Sequence, residues 1–270
     1  MSSQKFIGKL FKPTSVRIRP NFHLENLLFL IPLTFLIGGW ELSLRLGVIS
    51  EKVLPSPFSA LYYMMLNMVN PPFMALIMQS MVNLLFGLIL GGALAVPLAI
   101  GTGLKHRLDS TFTPLIMIVG ALPDIALLPL VIYWFGSGLA TIAIMATIVA
   151  FFPIFFMVRE GVKSIPQDYF HVVNIYGTRW YHLYTKLVFP AISSHMLTGV
   201  RLAYEFLWEV VLAVEIISRF SGVGLFIDLS VKSGNLTEGF AALFAIGLIA
   251  IVVDRMLFQR LENRVRRWMG

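Results

Sequence analysis

The chain is predicted to be an all-α, polytopic membrane protein with six transmembrane helices, and three observations lead there. Hydrophobic residues make up 57% of the 270 and charged ones only 13%, against about 25% charged in a soluble domain. Mean hydropathy is +0.81, and apolar runs approaching the about 20 residues that a helix needs to cross the hydrocarbon recur along the sequence. The basic residues behind a net charge of +7 fall between those runs. They therefore speak for orientation in a lipid bilayer, with basic loops inside, and against a nucleic-acid surface. No cysteine is present, which excludes a disulfide framework and thiolate metal ligation.

Residues 1–25 form a basic tail, with Lys5, Lys9, Lys12, Arg17 and Arg19 against Glu25. No small-residue cleavage site follows the next apolar run, so that run is expected to be a retained first helix rather than a signal peptide. It covers about Leu27 to Leu44 and opens a transmembrane domain over residues 26–260. Pro55 and Pro57 stop helices and mark an external loop. Phe58 to Val69 is too short to cross and is set apart by Pro71-Pro72, which predicts an external interfacial helix. The second span then runs from about Ser80 to Leu104, with Gly87, Gly91 and Gly92 as small residues for close helix packing. Lys105, His106 and Arg107 end it on the cytoplasmic side.

A third span, about Thr113 to Phe135, and a fourth, Leu139 to Val158, are joined through Gly136-Ser137-Gly138. Pro123 and Pro129 remove backbone donors and kink the third span, and freed carbonyls at that depth are tolerated where they line a cavity or lie in protein. Asp124 between them is either functional, as intramembrane acids are by default, or a cap for the following helical turn. The fifth span is expected at Ile192 to Ile217 and the sixth at Phe240 to Phe258, with an external loop at residues 219–239 between them. Residues 261–270 form a second basic tail. Both termini are thereby placed in the cytoplasm.

The stretch from Ser164 to Pro190 is the longest polar-rich interruption. Val173, Tyr176, Trp180, Leu183 and Leu187 recur at steps of three and four, while His171, Asn174, Thr178, His182 and Lys186 lie opposite, which describes a surface helix. Gly177 in its middle costs about 1 kcal/mol relative to Ala and favours two short helices meeting there. The spacing of His171-Val172-Val173, Gly177, Leu187 and Phe189-Pro190 resembles the EAA loop of ATP-binding-cassette importer permeases. That pattern runs Glu-Ala-Ala, three residues, Gly, nine residues, Ile, one residue, Leu-Pro; here His171 stands for the Glu, Val172 and Val173 for the Ala pair, and Phe189 for the Leu. Leu122-Pro123-Asp124-Ile125-Ala126-Leu127-Leu128-Pro129-Leu130 with Trp134-Phe135-Gly136 is similar to permeases for nitrate, sulfonates, taurine and bicarbonate. So are Trp40-Glu41, Leu54-Pro55-Ser56-Pro57, Arg201-Leu202-Ala203, Trp208, Glu215 and Asp254-Arg255.

The resemblance implies the type I permease fold of that importer class, in the cytoplasmic (inner) membrane. It implies that residues 164–190 form coupling helices, with His171, Val173, Tyr176, Gly177, Trp180, Leu183, Leu187 and Pro190 facing a cytoplasmic ATPase. It implies two ATP-binding subunits that carry ATP and Mg, a second permease copy in a homodimer, and an extracytoplasmic solute-binding protein. The chain itself would hold no cofactor and would not be an enzyme: no G-x-x-x-x-G-K-[ST] loop occurs, and the five histidines show no metal-ligand spacing. The cargo would be a nitrate-, sulfonate-, taurine- or bicarbonate-like oxyanion or a small organic molecule, moved by alternating access.

Arg201, Glu205 and Glu209 share one face of the fifth span, where each charge facing lipid would cost about 2.5 to 3.5 kcal/mol. With Pro123, Asp124 and Pro129 they are the candidates for a translocation path or an interface. Arg201 is expected to pair with Glu205 at the i, i+4 spacing, leaving Glu209 to pair across a dimer or bind substrate. An alternative is an ion-gradient-driven secondary transporter in which Asp124, Glu205 or Glu209 carries a proton; inverted repeats would favour it, and none is evident. A membrane-embedded enzyme would need a convergent His or carboxylate cluster at one membrane face, which is missing.

Overall fold

The computed structural model describes residues 30–175 and 180–269, and among them every regular element is helical. The chain divides into two compact units, Met1–Ile49 and Ser50–Gly270. In the first unit, helix α1 covers Leu30–Arg45. Its Glu41 and Arg45 pair at 2.9 Å, one turn apart, and Gly47 at φ 69° lets the chain leave the helix.

The second unit begins with α2, Pro57–Asn67, and α3, Pro71–Leu104. The short helix before the proline pair is as expected, but the prolines do not hold α3 back to Ser80. They occupy its first turn, where a missing N–H is no loss, so α3 gains nine residues and reaches 34. Helices α4, His106–Gly120, and α5, Asp124–Phe135, follow. They replace the single kinked span expected over Thr113 to Phe135: the two meet at 91°. Pro123, extended at φ −62° and ψ 120°, supplies no N–H and bars Leu122 from helical backbone, so the helix stops rather than bends. Gly136 and Gly138 take positive φ values of 75° and 153° in the turn to α6, Leu139–Lys163.

Helix α7 covers Gln167–Ile175. The chain is helical again from Trp180, passes through a π-helical turn at Leu183–Val188 and continues as α8, Phe189–Ser218. Pro190, the last residue of the polar-rich stretch, sits in the first turn of α8, which begins three residues before the expected fifth span at Ile192. The wider π turn accommodates it, with the Phe189 N–H reaching back five residues to the Tyr184 carbonyl. Helix α9, Val223–Lys232, occupies what was expected to be a loop. Helix α10, Leu236–Val253, passes through a second π turn, Asp254–Phe258, into α11, Gln259–Met269.

Three of these helical stretches are long and apolar enough to cross a membrane, and the bent pairs α4–α5 and α8–α9 make five if each is one span. The central helix is α6, which packs on α3 and α8. Its buried residues Ile142, Met145, Val149, Ile154 and Val158 step at three to five residues, and Phe155 beside Ile154 is buried as well, giving the helix buried faces for two neighbours. Gly87 and Gly91 make the α3 contact possible. A Cβ on Gly87 would overlap Ala146, and one on Gly91 would lie 2.6 Å from Ala150 Cβ and 2.9 Å from the Thr147 carbonyl. Gly92 differs, since a Cβ there would stop 3.7 Å from Ile154 Cδ1. Gly91→Leu is therefore predicted to lower folded yield and melting temperature in detergent, with overpacking costing about 1 to 3 kcal/mol or more. Gly92→Ala should leave both unchanged.

Candidate functional site

The helical hairpin built from α7 and the Leu183–Val188 turn encloses a cleft of about 360 Å3 lined by Ser164, Ile165, Pro166, Tyr169, Lys186, Leu187, Pro190 and Ala191. Of the expected apolar stripe, Val173, Leu183 and Leu187 are half-buried and the latter two pack on the core, but His182 from the expected polar face is half-buried too. His171 and Lys186 lie exposed. Leu187 and Pro190 thus face the cleft, whereas His171 projects elsewhere. Tyr176 and Gly177, the proposed joint, lie outside the described residues, and only the backbone of Trp180 is described.

A charge cluster braces the root of this hairpin. Asp109, in the first turn of α4, accepts from Arg159 Nε at 2.6 Å, Lys163 Nζ at 2.6 Å and Thr113 Oγ1 at 2.7 Å. Arg159 and Lys163 are in the last turns of α6, just before the chain enters α7. A second cleft, about 450 Å3, runs from His106 and Asp109 past Lys163 to Gln167 and Phe170, so this cluster borders the hairpin. Asp109, Arg159 and Lys163 were not among the site residues expected from the sequence. Charges at opposite ends of two separate spans gave no spacing from which to pair them.

The face of α8 divides differently from the expected single stripe. Arg201 does approach Glu205, at 3.7 Å, but its close partner is Asp254 of the π turn, with Nε–Oδ1 at 2.7 Å and Nη2–Oδ2 at 2.9 Å. The guanidinium prefers the two-point contact that Asp254 offers. Glu205, 55% exposed in its side chain, therefore remains weakly held. Glu209 is exposed and lies near enough to Asp124 for the two carboxylates to repel each other, where α5 packs on α8. Asp124 does not act as the cap: Pro123 holds the N-cap position and no side-chain cap bond forms. Pro129 lies within α5 on its exposed side. The structure thus brings Arg201 and Glu205 together with Asp254, whereas Asp124 and Glu209 share only the region where α5 packs on α8.

One buried group was noticed in the sequence but not counted as a site. Glu215 on α8 is fully buried. Its carboxylate accepts from Ser80 Oγ at 2.7 and 2.9 Å, from Asn83 Nδ2 at 3.4 Å and from the Gly224 N–H at 2.8 Å. The Val223 N–H in turn donates to Ser80 Oγ at 3.0 Å. Helix α8 ends with Arg219 in the left-handed conformation, φ 53°, which turns the chain so that the N-terminus of α9 meets the carboxylate, as helix N-termini favour. A Cβ on Gly222 would overlap the carboxyl group. Among the described residues no group of His, Asp, Glu or Cys could hold a metal ion.

Long apolar helices, two of them broken by bends, with carboxylates and a guanidinium held inside the bundle, define a polytopic membrane transport protein. The family described as binding-protein-dependent transport system inner membrane component matches residues 87–267, and the chain belongs to it. It is a permease subunit of the ATP-binding-cassette importer class and a multi-pass inner-membrane protein. The chain is 24% identical to a putative aliphatic sulfonates transport permease protein of Bacillus subtilis over 86% of its length and 84% of the relative's. It is 31% identical to a putative ABC transporter permease protein of Methanocaldococcus jannaschii over 70% and 71%. It is 26% identical to a bicarbonate transport system permease protein of Synechococcus elongatus over 66% and 64%.

Proposed function

We propose that two copies of this chain form the membrane path of an importer powered by two cytoplasmic ATPases, with six spans per copy, α1 included, and both termini in the cytoplasm. The α7 hairpin is the observation that supports the coupling role: it presents an open cleft beside a charge cluster that joins α4 to α6. ATP and Mg are bound by the partner subunits, an extracytoplasmic binding protein delivers the solute, and ATP-driven closure moves the hairpins and rocks the bundles between inward- and outward-open states. The cargo is a small oxyanion or small organic molecule, in keeping with relatives named for sulfonates and bicarbonate.

The orientation is tested by single cysteines in this cysteine-free chain. A cysteine at position 178 should resist membrane-impermeant reagents in intact cells and react after permeabilisation, whereas one at Glu51 should react from outside. External labelling at 178 would contradict the coupling role. Gly177→Val should leave the permease in the membrane while lowering uptake and transport-linked ATP hydrolysis together; normal coupling in that variant would remove Gly177 from the ATPase contact. Because Glu209 and Asp124 repel an incoming anion, Glu209→Gln should raise anion uptake in reconstituted vesicles if the pair lines the path. Unchanged uptake would place the pair away from it.

A further inference from the structure

A cleft of about 530 Å3 opens where α8 meets the C-terminal half of α10 and its π turn, lined by Arg201, Tyr204, Glu205, Trp208, Asp254 and Arg255, with Ile246, Ala250 and Ile251 as an apolar wall. It sits where the apolar sequence of α10 gives way to the charged sequence of α11, which is where a membrane helix passes from hydrocarbon to headgroups. Ile251, on the apolar wall, is 58% exposed.

Two features of this cleft are unexplained by the bundle itself. Tyr204 and Trp208 are 4% and 6% exposed and their polar ends lie within reach of each other, yet neither the Tyr204 hydroxyl nor the Trp208 Nε1–H makes a hydrogen bond of good geometry. Buried polar groups left unpaired are costly, so an acceptor is expected there. The formal charges lining the cleft also cancel, with Arg201 and Arg255 against Glu205 and Asp254. A net anion would meet the two carboxylates and a net cation the two guanidinium groups. A ligand with both signs meets neither problem.

We propose that this cleft binds the headgroup of a zwitterionic, amine-bearing phospholipid of the phosphatidylethanolamine kind. Its phosphate oxygens accept from Tyr204 Oη and Trp208 Nε1 with Arg255 nearby, its ammonium donates to Glu205, and an acyl chain lies along Ala250 and Ile251. Glu205 suits that role because Asp254 has taken the close contact with Arg201.

The test uses the full chain with its co-purifying partners, in nanodiscs of equal phosphatidylethanolamine and phosphatidylglycerol, washed stepwise with detergent before the retained lipid is identified by mass spectrometry. Phosphatidylethanolamine should be retained in preference to phosphatidylglycerol. Tyr204→Phe, which removes one donor and keeps the ring, and Trp208→Phe, which removes the other donor with a smaller ring, should each weaken retention about tenfold, and Glu205→Gln should erase the preference between the lipids. Melting temperatures identify any variant that fails to fold, and the unmodified chain then still decides the matter by lipid preference alone. Equal retention of both lipids by the unmodified chain, or unchanged retention in both donor variants, overturns the assignment. Soluble phosphoethanolamine that displaces the lipid at comparable concentration would make this a site for a free zwitterion instead. Efficient disulfide formation between a cysteine at Ile251 and one on α1 or on a second copy would show that protein fills the cleft.

Discussion

Glu215→Ala should abolish accumulation of the folded permease or leave it with a markedly lowered melting temperature. The change strands the Gly224 N–H and the Asn83 amide and withdraws the acceptor from Ser80, all in a fully buried environment. Each unsatisfied donor costs about 1 to 3 kcal/mol, and hydrogen bonds to a charged group are at the strong end. The total rivals the marginal stability of a whole domain. Glu215→Gln keeps an acceptor oxygen and should lose less, and Ser80→Ala, which removes the link to the Val223 N–H, should fall between. The ordering is the discriminating result: if Glu215→Ala and Glu215→Gln melt together at the normal temperature, the node does not hold α9 onto α3 and α8. Gly222→Ala should resemble the damaging variant, because its Cβ collides with the same carboxyl group.

The second large effect is expected at Asp109. Asp109→Ala leaves Arg159, only 17% exposed, and Lys163 without their shared carboxylate. Removing one partner of a fully buried pair costs about 3 to 5 kcal/mol and of an exposed pair about 0 to 1 kcal/mol. The cost here should fall between the two, because Asp109 and Arg159 are only partly buried and Lys163 at 38% exposure can turn to water. Lys163→Ala should therefore be mild, and Arg159→Ala intermediate. As the cluster also borders the α7 hairpin, Asp109→Ala should lower transport-linked ATP hydrolysis even in the fraction that remains folded. Variants measured by thermal melting and, in vesicles, by uptake per folded complex separate the two losses. Equal melting of the Asp109 and Lys163 variants would mean that the cluster is solvated and structurally incidental.

Much of the architecture was legible because lipid imposes simple rules on sequence. Uninterrupted apolar stretches announced α3, α6 and α10, and proline pairs and glycines announced α2 and the α5–α6 turn. Gly87, Gly91 and Gly92 marked α3 for close helix packing, though not α6 as the partner nor Gly92 as standing clear of it, and the spacing around Gly177 pointed to the family in which the chain belongs. The departures at prolines share one cause. A proline in a sequence states only that an N–H is missing; whether the helix begins, bends, stops or widens there depends on what lies beyond it. At Pro71 the helix begins, at Pro123 it stops with a 91° turn, and at Pro190 it runs on through a π turn.

The candidate charges show the same division. Their presence, their number and the requirement that they face protein or water followed from sequence, since a charge in hydrocarbon is too costly to leave unmatched. The i, i+4 rule nominated Glu205 as Arg201's partner because it compares residues on one helix only. Asp254, 53 positions away in sequence, offers the better two-point contact, and only packing of α8 against the π turn brings it within reach. Glu215 likewise could be named from the chain but not explained, because its partners come from α3 and from the first turn of α9. Sequence alone determined that this is an apolar, helical, polytopic chain with one polar-rich, amphipathic stretch; which charge meets which was decided by tertiary structure, because hydrogen bonds and ion pairs act over about 3 Å and helices distant in sequence set those distances.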